Sequence, residues 1–548
     1  MTETGLRHFS SLDWLVLAGY FLLLIITGIL FSRRQYSTED YFLARGRIPL
    51  WAAGISFMAT ALSAATFIGA PQQSYESDLT YLSSNIGSIL AILTVALFFI
   101  PAFYRLRVST VYGLLDIRFG KPASLAASGA FMIGKVFSSG ARLYIAALPA
   151  SLILFGDILP RHQVVAITTL TLVGIFYTLV GGIRSVIWTD VIQSVVFVGA
   201  ALATMILLLD KIPLNIREMH EVLQDPGVGQ TSKMTFLKLG FEGFGPRHSY
   251  TFLTALFGFS LLSLGAYGTD QDMVQRLLTC KSSLKGSWSA ITGILVGLPV
   301  TTLFMGIGLL LYIFYARPDL MGVAASHYQI DESRKIFLSF ILLETPMGMA
   351  GLMMSGLFAA ALSSLNSAIN AMSSTFINDF YKFFLPQKEE SHYLAMSRIG
   401  VIVFGIILGF FAIFSVFWQQ ARPGATLIDF ALMVMAFAYS GLVAVYLTAL
   451  FTKRGNNLSV IAALFTGFLV VLAMQVYFAQ NIAFPWQMFI ATSLAFIVCL
   501  SGKTHRRCHS RETGCPRIEE HAGDVIPANA GIQEKQAFIN CTFLYENS

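Results

Sequence analysis

The sequence contains few charged residues and few cysteines. Asp, Glu, Lys and Arg make up 12% of its 548 residues, whereas hydrophobic residues make up 55% and the mean hydropathy is +0.68. Soluble domains are about 25% charged, so this chain cannot present a mostly polar surface. Five cysteines without a paired spacing exclude a disulfide scaffold. The excess of 36 Lys and Arg over 30 Asp and Glu is too small to indicate nucleic-acid binding.

Hydrophobic blocks long enough to cross a bilayer, about 20 residues each, recur along the chain. They predict an all-α polytopic membrane protein with thirteen transmembrane helices. The first block is not a cleaved signal peptide, because it is long enough to span and no small-residue cleavage site follows it. The blocks lie near 12–31, 50–75, 84–104, 124–156, 163–180, 186–209, 249–268, 287–315, 348–378, 399–417, 426–451, 457–478 and 484–501.

The distribution of Lys and Arg predicts the orientation of these helices. With the N-terminus outside, the short inner loops hold 17 Lys and Arg, and the short outer segments hold three. The two long outer loops, 210–248 and 316–347, are exempt because long loops cross the membrane largely regardless of charge. The positive-inside rule therefore predicts an outer N-terminus and an inner C-terminus.

The thirteen predicted helices divide into a leader, ten core helices and two trailing helices. Five helices in each half require the two halves to be inverted relative to each other. The polar C-terminal sequence is predicted to be a disordered cytoplasmic tail. The predicted organisation is a leader with its inner loop, a first repeat, an inverted second repeat, the trailing helices and the tail, at 1–48, 49–209, 249–451, 452–501 and 502–548.

The first helix of each repeat is rich in small and hydroxylated residues. These segments, 54–71 and 258–269, contain Gly, Ala, Ser and Thr where an ordinary span would contain Leu and Ile. Matched interruptions in two halves indicate broken helices that meet at a transporter site, because unwound backbone is tolerated in a membrane only where it lines a cavity. The alternative is that the small residues only permit close helix packing.

Ionisable residues within predicted spans are candidates for function, because charge is costly there and usually functional. Lys135 and Arg142 are seven residues apart on one helix face, and Asp190 opens the sixth block. The Arg142 guanidinium suits a carboxylate, either from a substrate or from an ion pair with Asp190. Lys135 is expected to extend toward the membrane surface or to support packing.

The ninth block contains a dense polar cluster. Ser363, Ser367 and Asn370 follow i, i+4, i+7 spacing and therefore share a helix face. Hydroxyl and carbonyl oxygens suit a weakly held monovalent cation, whereas a divalent ion would require clustered carboxylates. The alternative is hydrogen bonding between helices. No span combines His and carboxylates in a catalytic or metal-binding spacing, so the sequence does not predict an enzyme.

Four sequence motifs resemble those of one family. They are STEDYFLARGRIPLW at 37–51, GGIRSVIWTDVIQ at 181–193, DQDMVQR at 270–276, and AALSS at 360–364 with DFYK at 379–382. In this order they resemble the sodium:solute symporters, over roughly residues 10–500. The resemblance implies the inverted five-helix-repeat fold of the LeuT class, with two broken helices.

The resemblance also implies the ion sites. The main sodium site would use the carbonyls of two residues in the first broken helix and of one in the ninth block, completed by two hydroxyls: Ala59, Leu62, Ala360, Ser363 and Ser364. Some members bind a second sodium, which would fall on Asp190, Ser363 and Ser367. Asn366 stands where sialic acid members have a serine, although an amide oxygen is also a suitable ligand.

Solute contacts carried over from the family fall on Ser63, Thr66, Tyr81, Asn85 and Ser88, with Arg142 as the counterpart of an arginine that pairs with the substrate carboxylate. Sugar-transporting members have Gln at the position of Thr66 and Glu at that of Asn85, so the chain departs from a sugar site. The resemblance therefore favours an anionic solute, such as a sialic acid.

The predicted function is secondary active transport, in which inward sodium flow drives uptake of a small organic anion. The implied partners are sodium, the solute and the lipid bilayer, with no nucleic acid, no organic cofactor and no metal other than sodium. The chain is expected to work as a monomer that crosses a bacterial plasma membrane many times. Two alternatives remain: a solute sensor built on a transporter fold, and a proton-coupled symporter of a neutral solute.

Overall fold

A computed structural model describes residues 9–31, 38–180, 182–227, 231–240, 248–321, 333–420, 426–478 and 481–503. Within these ranges all regular secondary structure is helical. Of the predicted tail, 502–548, all residues from 504 onward lie outside the described residues. An all-helical polytopic fold is therefore confirmed for the described part of the chain.

The long helices coincide with the predicted hydrophobic blocks. In chain order they are α1 Ser11–Phe31, α2 Leu50–Ala61, α3 Ala65–Glu76, α4 Thr80–Leu106, α5 Lys121–Phe155, α6 Pro160–Val180, α7 Ile183–Lys211, α8 Phe252–Thr269, α9 Gln271–Leu278, α10 Ser283–Ala316, α11 Met349–Phe384, α12 Glu390–Gln420, α13 Leu427–Phe451, α14 Asn457–Tyr477 and α15 Phe484–Leu500. Short helices, including Thr38–Leu43, Gly113–Phe119 and Ile216–Gln224, lie in the connections.

Ten of these helices are long and apolar enough to cross a membrane. The bent pair α2 and α3 would form an eleventh span. The remaining predicted blocks, 163–180 and 484–501, are occupied by α6 and by the 17-residue α15. Helix is therefore present in every predicted block.

Helix α11 forms the centre of the fold. Of the residues in its most apolar stretch, 94% are buried, against 33% for α1 and 39% for α14. It packs against α1, α5, α6, α7 and α12. Small residues allow this close approach, since a Cβ added at Gly356 would lie 2.6 Å from the Cβ of Ala200 on α7. The predicted polar cluster of the ninth block thus lies at the most enclosed position in the fold.

The first predicted break is confirmed. Helix α2 ends at Ala61, Leu62 is extended with φ −86° and ψ 131°, and α3 resumes at Ala65. The axes of the two halves differ by 60°.

The second break was predicted at the wrong position. Residues 258–269 stay helical, with wide π turns at Ala255–Phe259 and Gly265–Thr269, and the chain becomes extended only at Asp270. The glycines of this segment serve packing: a Cβ at Gly258 would lie 2.4 Å from the Pro485 carbonyl oxygen, and one at Gly265 would lie 2.5 Å from the Cβ of Tyr439. For this segment the close-packing alternative is correct.

The leader helix is attached to the N-terminal end of α11. The Asp13 carboxylate accepts hydrogen bonds from the backbone N–H groups of Gly348, at 2.8 Å, and Gly351, at 2.9 Å. A negative charge is favourable at a helix N-terminus, where N–H groups lack intrahelical partners. This contact joins a helix outside the predicted repeats to the central helix of the fold.

Candidate functional site

A cavity of about 130 Å³ lies between the broken helix, α4, α5, α8, α10 and α13. Five of the six predicted solute residues line it: Thr66, Tyr81, Asn85, Ser88 and Arg142. Ser63, the sixth, is not part of the lining. Its hydroxyl accepts a hydrogen bond from the Ala65 N–H at 3.2 Å, where α3 begins. Residues far apart in the sequence thus converge on one cavity, and Ser63 belongs to the helix break.

The second half of the chain contributes polar groups that were not predicted as solute contacts. Ser263 and Tyr267 of α8 line the cavity, and the Ser263 Oγ lies 3.1 Å from the Ser88 Oγ. The Tyr267 hydroxyl donates to the Ser88 Oγ at 3.5 Å. The hydroxyl content of 258–269 was the available signal, but it was assigned to helix unwinding. The cavity wall at this place therefore consists of hydroxyl groups from both halves.

Arg142 projects into the cavity from α5 and is partly buried. Its Nη2 contacts the Met435 sulfur at 3.5 Å, and among the described residues it has no carboxylate partner. The ion pair with Asp190 that the sequence allowed is not formed, because Asp190 pairs with Arg276. The guanidinium is thus available to an anion in the cavity.

Lys135 does not extend to the membrane surface, so the first of its two predicted roles was wrong. Its Nζ lies 2.9 Å from the Asp270 carboxylate and 2.7 Å from the Asp272 carboxylate, and its side chain is 4% exposed. The Tyr439 hydroxyl donates to the same Asp270 oxygen at 2.5 Å. Because an unpaired buried charge is expensive, two carboxylates on the second half hold this lysine inside the protein.

A second, much smaller cavity lies where the break meets α11. Its volume of about 10 Å³ corresponds to roughly one water molecule. Four of the five residues predicted for the main sodium site line it: Ala59, Leu62, Ala360 and Ser363. The cavity therefore has the volume of a single small ion, and it lies where four of the five predicted ligand residues come together.

The break changes the hydrogen bonding of two carbonyls at this cavity. In an unbroken helix the Ser63 N–H would donate to the Ala59 carbonyl, but it donates to the Thr66 Oγ1 at 3.4 Å. The Thr66 N–H, which would donate to the Leu62 carbonyl, donates to the Ser63 carbonyl at 2.8 Å. The Ala59 and Leu62 carbonyls have therefore lost their helical donors.

The remaining predicted ligands are hydroxyls of α11. The Ser364 Oγ is fully buried and has no hydrogen-bond partner among the described residues. The Ser363 Oγ donates to the Asp190 carboxylate at 2.6 Å, which leaves its lone pairs free to accept. Ser364, the fifth predicted residue, is not part of the lining of the small cavity. In the described residues, no cluster of three or more His, Cys, Asp or Glu side chains is placed to hold a metal ion.

The residues predicted for a second sodium converge on an arginine. Asp190 accepts from the Ser56 Oγ at 2.5 Å and from the Arg276 Nη2 at 3.3 Å. The same Nη2 also donates to the Ser367 Oγ. Arg276 was quoted only as part of a family motif, and nothing in the sequence indicated its partners, because Asp190 is 86 positions away.

Asn366 does not point toward this group. Its Oδ1 accepts a hydrogen bond at 3.1 Å from the Thr178 hydroxyl on α6. A Cβ added at Gly174, also on α6, would lie 3.5 Å from the same amide oxygen. The amide therefore takes part in packing between α6 and α11 instead of facing Asp190.

Comparison with known proteins places the chain among transporters. The model of the sodium:solute symporter family matches residues 41–467. The sodium/sialic acid symporter SiaT of Proteus mirabilis is 30% identical over 472 residues, covering 85% of this chain and 90% of that protein. The sodium/sialic acid symporter NanT of Aliivibrio fischeri is 30% identical over 403 residues, covering 73% and 76%. The human sodium/iodide cotransporter is 26% identical, covering 85% and 70%.

The fold is similar to that of a solved symporter. A Na⁺-coupled sialic acid symporter, solved in a substrate-bound outward-open state that reveals a novel Na⁺-site, superposes with a TM-score of 0.75 at 29% identity. The match covers 90% of this chain and 97% of that one. The chain therefore belongs to the sodium:solute symporter family, whose members are multi-pass, sodium-coupled transporters and not enzymes.

Proposed function

We propose that the protein couples inward sodium flow to uptake of a small organic carboxylate, such as a sialic acid, by alternating access. The observation that carries the solute class is Arg142, a cation without a carboxylate partner among the described residues, in a cavity lined by hydroxyl groups. A guanidinium fork suits a carboxylate. The hydroxyls of Ser88, Ser263 and Tyr267 suit the polar groups of a hydroxylated anion.

The proposed solute contacts are the five predicted cavity residues with the two hydroxyls from α8: Thr66, Tyr81, Asn85, Ser88, Arg142, Ser263 and Tyr267. The proposed sodium ligands are the carbonyls of Ala59, Leu62 and Ala360 with the hydroxyls of Ser363 and Ser364. Leu62 lines both cavities. An ion that orders the break would thus also order one wall of the solute cavity.

This shared wall accounts for coupling. If sodium tightens solute binding by some factor, solute must tighten sodium binding by the same factor. The charge of one sodium is cancelled by the solute carboxylate, so the driving force is the sodium concentration gradient, of which each tenfold is worth about 1.4 kcal/mol. Both ligands would stabilise the arrangement in which α2, α3 and α11 are held together, and their release would allow the inner side to open.

We further propose that the chain has thirteen membrane-spanning helices, with the N-terminus outside and the C-terminus inside. Ten or eleven helices that are long and apolar enough, with α6 and α15 on the remaining blocks, support this number. The inner excess of Lys and Arg supports the orientation. The proposed location is the plasma membrane of a bacterium, where the chain acts as a monomer in the lipid bilayer.

Uptake of labelled N-acetylneuraminate into proteoliposomes tests the proposed function. We expect uptake that requires an inward sodium gradient, and we expect Arg142→Gln to abolish it while thermal unfolding in detergent stays at the wild-type temperature. Arg161→Gln is the matched control, because Arg161 is exposed at the start of α6, away from both cavities. Normal uptake by Arg142→Gln would contradict the assigned role of this arginine.

The same vesicles separate the alternatives. A sensor would bind N-acetylneuraminate but would not exchange labelled for unlabelled solute across the membrane. A proton-coupled symporter would accumulate solute at acid pH without sodium. Either result would overturn sodium-coupled uptake.

A further inference from the structure

The larger cavity is elongated along the helices that surround it. On α5 it is lined by Lys135 and Arg142, which are seven residues apart, and on α13 its lining runs from Leu432 to Tyr439, which are also seven residues apart. At 1.5 Å per residue, seven helical residues correspond to about 10 Å. Lys135 and Arg142 are therefore separated along the cavity by about two helical turns.

The end of the cavity that contains Lys135 is formed by Lys135, Asp270 and Tyr439, which we call the cavity floor. All three line the cavity, although each is at most 4% exposed. The Lys135 Nζ lies 2.9 Å from the Asp270 carboxylate, and the Tyr439 hydroxyl donates to the same carboxylate oxygen at 2.5 Å. The floor is thus a fixed group of polar atoms at a distance from Arg142.

Two atoms of the floor keep unused hydrogen-bonding capacity. An ammonium group has three N–H donors, and a tyrosine hydroxyl accepts as well as donates. The carboxylates of Asp270 and Asp272 take two donors of Lys135, and Asp270 takes the proton of Tyr439. Among the described residues the side chains of Lys135 and Tyr439 have no further hydrogen-bond partner. One N–H of the lysine and the lone pairs of the tyrosine oxygen remain.

This pairing of a donor with an acceptor suits a hydroxyl group of the solute. A hydroxyl can accept from the Lys135 N–H and donate to the Tyr439 oxygen. A second carboxylate is disfavoured at the floor, because it has no proton to donate and would lie beside the charge of Asp270. The floor therefore differs from Arg142 in the group that it selects.

The separation of the two positions sets a lower limit on the length of the solute. A hydrogen bond at each end covers about 3 Å of the 10 Å between them. A solute that reaches both must therefore hold its carboxylate and its hydroxyl about 4 Å or more apart. Lactate, whose hydroxyl is on the carbon next to the carboxylate, is too short.

We propose that Lys135 and Tyr439 bind a hydroxyl group at the end of the solute remote from its carboxylate, so that the protein selects elongated hydroxylated carboxylates over short ones. This inference rests on the proposed function and specifies the class of carboxylate.

Competition against uptake of labelled N-acetylneuraminate by the wild-type protein in proteoliposomes gives the first test. N-acetylneuraminate carries a three-carbon hydroxylated chain apart from its carboxylate. An analogue shortened by two hydroxylated carbons of this chain should require about a tenfold higher concentration for half-maximal inhibition than unlabelled N-acetylneuraminate, since a hydrogen bond to a charged group is lost. Lactate should inhibit more weakly still. Equal inhibition by the shortened analogue would overturn the inference.

Tyr439→Phe tests whether the protein hydroxyl and the solute chain meet. The variant keeps the ring, and Lys135 keeps both of its carboxylates. Half-maximal inhibition by N-acetylneuraminate should require about a fivefold higher concentration, whereas the shortened analogue should act as on the wild type, because the two changes remove the same contact. An equal loss for both compounds would show that Tyr439 acts only through the protein structure. If Tyr439→Phe does not fold, the two compounds compared on the wild type decide.

Tyr446→Phe is the matched control on α13. Tyr446 lies seven residues beyond Tyr439, is buried, lines neither cavity, and its hydroxyl has no partner among the described residues. This variant should leave inhibition by both compounds at the wild-type values. The selective loss expected of Tyr439→Phe, if it appeared in Tyr446→Phe as well, would overturn the assignment to the floor.

The failure of this inference and that of the proposed function give different results. Absence of sodium-dependent N-acetylneuraminate uptake by the wild type would contradict the proposed function, and this inference with it. Sodium-dependent uptake that does not distinguish N-acetylneuraminate from the shortened analogue would overturn the role of the cavity floor alone.

Discussion

The two helix breaks in the core differ in the atoms that they expose. The break after Leu62 involves only neutral groups. The carbonyls of Ala59 and Leu62 have lost their helical donors. The Ser63 N–H donates to the Thr66 hydroxyl instead of to a carbonyl. The break at Asp270 is charged, and its carboxylate is bound by Lys135 and by a tyrosine hydroxyl. A neutral break can take up an ion and release it. The charged break already has its partners inside the protein.

The two breaks therefore differ in structure, although the sequence predicted the same kind of unwound segment for both. Both segments contain small and hydroxylated residues, which predicted two similar unwound regions. In α2 and α3 those residues cap the freed backbone, and the break lies at the proposed sodium site. In α8 they form packing surfaces and a wall of the solute cavity, and the break beyond them belongs to an ion-pair network. Variants of Lys135, at the charged break, and of Ser364 and Thr66, at the neutral break, test this difference between the two breaks.

The largest effect is expected from Lys135→Met, which tests the charged break. It leaves two buried carboxylates, at Asp270 and Asp272, without their lysine. Loss of one partner of a buried pair costs about 3–5 kcal/mol, so we expect a large drop in the unfolding temperature of the purified protein in detergent. Lys285→Met is the control, because Lys285 is exposed. An unchanged unfolding temperature would show that the charged break is not stabilised by this pair.

An intermediate effect is expected from Ser364→Ala, which tests the neutral break. Loss of one ligand oxygen should raise the half-saturating sodium concentration by at least about tenfold, since bonds to charged groups contribute about 1.5–3 kcal/mol. The unfolding temperature should not fall, because the hydroxyl has no partner among the described residues. Sodium-dependent uptake measured over a range of sodium concentrations checks this. Unchanged sodium dependence would remove Ser364 from the site.

The smallest effect is expected from Thr66→Val, which removes the hydroxyl that accepts the Ser63 N–H at the break. A hydrogen bond of this kind contributes about 1 kcal/mol, so the half-saturating sodium concentration should rise about fivefold. Thr66→Ser keeps the oxygen and should behave like the wild type. Equal loss in both variants would mean that the threonine methyl group, and not its hydroxyl, matters.

Much of the fold followed from local sequence. Every predicted hydrophobic block contains helix, because length and apolarity are properties of a contiguous segment. The first break followed from residues next to one another, since Ser63 and Thr66 cap their own backbone. Convergence of Tyr81, Asn85 and Arg142 on one cavity followed from family motifs, which record positions in a shared fold.

The remaining features depend on partners far away in the sequence. The role of Lys135 is set by Asp270 and Asp272, which lie more than 130 positions away. The pairing of Asp190 with Arg276 likewise depends on how α7 and α9 meet. A sequence identifies such side chains as costly to bury, but it does not state which opposite charge will be found beside each.

The contact between Asp13 and α11 offers a way to follow the motion of α11 from the leader helix α1. Because the carboxylate accepts hydrogen bonds from two N–H groups at the N-terminal end of α11, we expect a displacement of that end to move α1 with it. Leu15, two residues after Asp13 in α1, is 67% exposed and lies outside both cavities. A spin label at Leu15 would therefore follow the motion of α11 during transport from a position outside the proposed sodium and solute sites.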